Sequence, residues 1–183
     1  MSTTALIALH KKNNIQLIYC NNDGYIEHCG VILNMHYNTL SKVENLISHG
    51  NLWCLGTQIG KAHDMDQPFE HQIWHPSYNK SSCTPKTWCK FYYRDEIEYI
   101  KNGHLKGSEG RKKIENSYNA YKDLTIDDFI VNIENEEALF KTYTLESGVE
   151  YIYLFKNNNW FVKNNNVDTY NLLSENIKYI NTV

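Results

Sequence analysis

Two short apolar runs, Thr4 to Leu9 and Ile15 to Tyr19, flank a polar stretch from His10 to Asn14. Turn-prone residues between two such runs predict an antiparallel hairpin at the start of the chain. Asp23 and Gly24 then interrupt the pattern, glycine accepting the positive φ that a sharp turn requires. Beyond them Cys29, Ile32, Leu33, His36 and Tyr37 recur at the spacing of one helical face. Ser41 to Glu44 has the form of a capping box, in which hydroxyl and carboxylate satisfy orphan backbone N–H groups. Val43, Leu46 and Ile47 would face inward on this second helix, and Gly50 would stop it. The pattern predicts a helical hairpin packed on the strands.

From Gly56 to Thr87 the periodicity disappears, and His, Pro, Ser and Asn gather around Phe69, Trp74 and Tyr78. Structureless stretches of this length inside a domain tend to carry function or to be insertions tied down by a metal or a partner. Trp88 to Tyr93 has strand composition and ends at Arg94 and Asp95. Lys106 to Lys113 reads as a loop or a helix start, with Tyr118 and Tyr121 one turn apart after it. Thr125 to Asp128 gives a further N-cap signal, with Ile126, Phe129, Ile130 and Ile133 on one face. Glu150 to Phe155 and Trp160 to Val162, joined across Asn157 to Asn159, form the clearest hairpin. A last helix is expected from Asp168 to Tyr179 around Leu172, Leu173 and Ile177. Together these elements predict one α+β domain over residues 1–183. It has a mainly antiparallel sheet, helices packed on one face and a long irregular arm over 56–87.

Composition sharpens the picture. The 183 residues suffice to bury a core without disulfides or metal. Apolar residues make up 42%, but 14 Tyr and 4 Trp make much of that mass amphipathic. Such rings suit a surface buried against a partner. Equally, Tyr and Ile stand in for other core residues in chains from AT-rich genomes, a bias that the abundant Asn and Lys share. A net charge of -3 is too small for mimicry of a nucleic-acid backbone. Five cysteines, odd in number and without paired spacing, and no signal-peptide run after Met1, point to a reducing cytoplasm. No apolar run approaches the length of a membrane span.

Several groups are candidates for chemistry. Cys54, His63, His71, His75, Cys83 and Cys89 offer zinc ligands within and around the irregular arm, and a tetrahedral site would fix a loop that lacks periodicity. His71, His75, Cys83 and Cys89 are the candidate set; the plain alternative is buried thiols and surface imidazoles. No other cofactor is expected. His63 with Asp66 would make a base and its orienting carboxylate or a local turn, and Cys20 or Cys29 would need a depressed pKa to act as a nucleophile. No phosphate cradle, nucleophile elbow or His-Glu-x-x-His helix is present, so no catalytic residue is assigned. Arg94 would either pair with Asp95 to fix a turn or present a planar fork to a carboxylate or phosphate. Lys106, Arg111, Lys112 and Lys113, with Tyr118 and Tyr121, combine cations for a phosphate backbone with rings for stacking on bases. Trp74 and Tyr78 complete the candidate partner contacts.

Ile18, Tyr19, Cys20, Asp23, Gly24 and Tyr25 form a strand end and an Asp-Gly-Tyr turn. Gly30, His36 and Tyr37 follow on the first helix, then Val43, Leu46, Ile47, Gly50, Leu52, Leu55 and Gly56. His63, Asp66 and Pro68, then Tyr92, Arg94 and Asp95, then Tyr153 to Lys156 and Trp160 to Val162 continue the series. This pattern resembles a family of small accessory proteins of bacterial viruses and mobile elements. The chain departs from it in two places: Asn stands where an aromatic residue is common between Cys20 and Asp23, and an excursion through His71, His75 and Cys83 precedes the Arg-Asp pair. The resemblance implies an anti-defence protein in the cytoplasm of a bacterial host. Its favoured version is an anti-CRISPR that binds a type II effector nuclease with its guide RNA and blocks DNA binding or the activation of cleavage. A sponge for a nucleotide immune signal, and a hydrolase or nuclease, are the alternatives.

Overall fold

Alternation along two neighbouring strands sets up the fold. In β1 (Ala5–His10) and β2 (Ile15–Asn22), Ala5 lies opposite Cys20 and Ile7 opposite Ile18 on one face, while Leu6 lies opposite Tyr19 and Ala8 opposite Leu17 on the other. Ala5 to Ala8 are all fully buried, so β1 is covered on both sides and forms the middle of the sheet. The computed structural model describes residues 3–62, 88–101, 123–143, 147–164 and 170–180.

Eight strands make a mixed, mostly antiparallel sheet. β3 (Leu52–Cys54) runs parallel to the end of β2, and β4 (Lys90–Phe91) pairs antiparallel with β3 at one edge. β5 (Val131–Ile133) pairs with the beginning of β2, so β3 and β5 share the same side of that strand. β6 (Tyr151–Lys156) lies parallel to β1 on its other side, followed outward by β7 (Asn159–Asn164) and β8 (Tyr170–Leu172). The β6–β7 turn has two residues, Asn157 and Asn158, at φ 51° and 59°. Asn tolerates this left-handed region, and a pair of such residues matches the twist of the strands.

Three helices cover the first face. A π-helical turn, Ile26–Gly30, runs directly into α1 (Val31–His36), and α2 (Leu40–Ile47) returns across the sheet. A short helix, α3 (Glu98–Lys101), follows a second π-turn at Tyr93–Ile97. The first face is completed by the C-terminal helix over Leu173–Ile180, and Ile32, Leu33, Val43, Leu46, Leu173 and Ile177 bury against Ile7, Ile18, Tyr153 and Phe155. Each fully buried Leu or Ile contributes about 1.5–3 kcal/mol, so this layer anchors the first face. On the opposite face α4 (Glu136–Thr142) sets Leu139 among Leu6, Leu17, Ile152 and Leu154. The C-terminal helix is thus α5.

The expected α+β class is present, as are both hairpins and the first two helices. Cys29, Ile32, Leu33 and Tyr37 do share a buried face, while His36 is partly exposed. Several boundaries differ. α2 starts at Leu40 behind Thr39, whose extended backbone takes the N-cap position and whose carbonyl accepts from Val43 N–H. Ser41 therefore lies inside the helix, and the capping box expected at Ser41 to Glu44 does not form. Gly50 does take a positive φ of 71° after the helix, its N–H returning to Ile47 O. Leu52 to Cys54, to which the sequence pattern gave no element, is a strand. The strand expected over Trp88 to Tyr93 is only two residues long, because the Asp95 carboxylate takes the Phe91 N–H at 2.6 Å and the chain coils from Tyr92 onward. The N-cap expected at Thr125 is present and is reciprocated by Asp128, but on a single 3-10 turn, Ile126–Phe129, that leads into β5. Residues 170–172 pair with β7, so the last helix begins later than expected.

Candidate functional site

β2 and β3 end side by side because they are parallel, and β4 begins beside them because it is antiparallel. This end of the sheet collects Cys20, Leu52, Tyr92, Arg94 and Asp95 of the motif residues. Asn22 Nδ2 donates to Trp53 O at 2.9 Å, and Asn21 Nδ2 donates to Tyr92 Oη at 2.9 Å. Tyr19 N–H, between the stretches of β2 that pair with β5 and with β3, donates to Asn51 Oδ1 at 2.9 Å.

After β2 the backbone turns at Asp23 with φ 58° and passes through Gly24. Space, not dihedral freedom, dictates this glycine. A Cβ there would come within 2.7–2.8 Å of Ala5 Cβ, Ala5 N and Thr3 O, two of them backbone atoms that cannot give way. Gly24 N–H donates to Thr3 O at 2.9 Å, and the buried Tyr153 hydroxyl donates to Gly24 O at 2.8 Å. Tyr25 then opens the first helical segment with its ring 37% exposed, 6.0 Å from the ring of the buried His28. His28 Nε2 lies 3.2 Å from Leu55 O.

A second set of bonds joins α1 to the segments around β4. Tyr37 Oη donates to Gly56 O at 3.0 Å and lies 3.3 Å from Cys89 Sγ, which also accepts from Gly56 N–H at 3.3 Å. Trp160 Nε1 holds the Tyr37 carbonyl at 2.8 Å. Burial pushes the Cys89 thiol up to about 12 and raises the Tyr37 hydroxyl well above its ordinary value. Cys29 is raised by burial first, and then by its contact with Cys20 and the charges of Cys20, Cys89 and Asp23. Cys20, Cys29, Cys54 and Cys89 are all buried free thiols. Cys29 and Cys89 are thus neutral near pH 7, and the thiolate that attacks carbonyls or binds zinc is suppressed in both.

Arg94 is the hub of the site. Its Nε donates to Asp95 Oδ1 at 3.0 Å and Nη2 donates to Asp95 Oδ2 at 3.1 Å, a two-pronged pair in which Asp95 is fully buried. Nη2 also reaches Cys89 O at 2.9 Å, and Nη1 reaches Ile59 O and Gly60 O at 3.0 and 3.1 Å. All five guanidinium N–H groups are thereby engaged within the chain. The guanidinium carbon sits 4.9 Å from the centre of the Phe91 ring. Sequence reasoning offered a turn-fixing pair or a ligand fork for Arg94, and the geometry is that of the first.

Cys89 is the described member of the candidate zinc set; His71, His75 and Cys83 lie outside the described residues. So do Trp74, Tyr78, Lys106, Arg111, Lys112, Lys113, Tyr118 and Tyr121 of the candidate partner contacts, and His63 and Asp66. Among the described residues no three His, Cys, Asp or Glu groups converge to hold a metal ion, and no helix is long and apolar enough to cross a membrane. Tyr37, Phe91, Tyr143, Tyr153, Phe155 and Trp160 are buried, Tyr25 is exposed, and Tyr19, Trp53, Tyr92, Tyr151 and Phe161 are among the half-buried rings. Asn21, Asn51 and His28, which carry much of this network, escaped the sequence reading because each acts through polar contact with residues distant in the chain. No family model, curated protein or solved structure matches this chain.

Proposed function

We propose that this chain is an anti-defence protein of a bacterial virus or mobile element that acts by binding, its target a type II CRISPR effector nuclease carrying guide RNA. The observation that carries the binding reading is the internal engagement of the sheet-end chemistry. Arg94 commits all five of its N–H groups to the chain's own oxygens, and the Cys29 and Cys89 thiols are held neutral by burial. Groups locked in this way stiffen this end of the sheet from within, and a rigid scaffold lowers the cost of docking to a macromolecule. A sponge for a nucleotide signal would need Arg94 for a ligand phosphate, a role that would first require breaking these bonds. The choice of a CRISPR effector as target rests on the sequence resemblance alone.

Capture of guide-loaded and guide-free effector by the immobilised chain tests the proposal. Retention of the loaded complex, with little of the guide-free protein held back, is the expected result. Passage of both through the column would remove the effector as target.

A further inference from the structure

We draw no further inference here: the strongest candidate, the half-buried Trp53–Tyr92 ring stack beside Lys90 at the β3–β4 edge of the sheet, with a buried indole Nε1 that has no hydrogen-bond partner among the described residues, carries nothing because nothing in the structure shows what covers it.

Discussion

Arg94 and Asp95 are neighbours in sequence, yet their side chains face each other edge to edge, Nε to Oδ1 at 3.0 Å and Nη2 to Oδ2 at 3.1 Å. The Asp95 carboxylate is fully buried and also holds the Phe91 N–H, while the guanidinium reaches the carbonyls of Cys89, Ile59 and Gly60. One pair therefore ties the segment after β3 to the start of β4 and to the helical turn that follows. Arg94→Ala would strand a buried carboxylate, so a loss of about 3–5 kcal/mol is expected. Arg94→Lys should fall between the two, since an ammonium cannot span both oxygens and three carbonyls at once. Urea unfolding of the three proteins measures this. Equal midpoints for wild type and Arg94→Ala would show that the pair contributes nothing to the scaffold.

A second expectation concerns the turn after β2. Tyr153→Phe removes the hydroxyl that donates to Gly24 O and leaves a buried carbonyl unpaired, a loss of about 1–3 kcal/mol. Gly24→Ala drives a methyl group into Thr3 and Ala5 and should cost a comparable amount through displaced backbone. In thermal melts both variants are expected to unfold earlier. An unchanged melting temperature for Gly24→Ala would mean that the turn is free to move away from β1.

The opposite sign is expected at the β6–β7 turn. Asn158 is held at φ 59° in a two-residue loop, where glycine meets no steric penalty. Asn158→Gly should stabilise the protein, while Asn158→Val should destabilise it. If the glycine variant melts lower than wild type, the Asn158 side chain contributes more than its backbone conformation.

The buried thiols give two linked outcomes. Iodoacetamide at pH 8 should leave Cys20, Cys29, Cys54 and Cys89 unmodified in the native protein and modify them in guanidinium, as peptide mass mapping reads directly. Cys89 has a folded pKa of about 12, above that of an exposed thiol. Its contribution is thus complete below the unfolded thiol pKa and is lost as pH climbs through the interval up to about 12. Above pH ~9 stability should fall by on the order of 1.4 kcal/mol per pH unit for each group so raised. A flat stability profile from pH 9 to 11 would contradict the burial of these groups.

How far the residues announced this arrangement depends on the range of the interactions involved. The β1–β2 and β6–β7 hairpins were legible because alternation and turn chemistry are local, as was the N-cap at Thr125. α4 also had a local signal, since Asn135 caps it by accepting Ala138 N–H and acidic residues fill its first turn, but the signal went unread. The parallel pairings of β1 with β6 and of β2 with β3 had none, because their registers are set by contacts between distant segments. At the candidate site the Arg94–Asp95 pair was foreseen as one of two readings. Its carbonyl partners at Ile59 and Gly60 were not, since backbone acceptors leave no mark on a sequence.

A cleavage titration tests the central claim most directly: purified chain added in rising molar ratio to guide-loaded type II effector before target DNA. Cleavage should fall in proportion to the inhibitor added and vanish near equimolarity, with the effector and its guide recovered intact. Full cleavage in molar excess of the chain, or loss of effector activity at far below equimolar amounts through damage to protein or guide, would contradict a protein that works by docking alone.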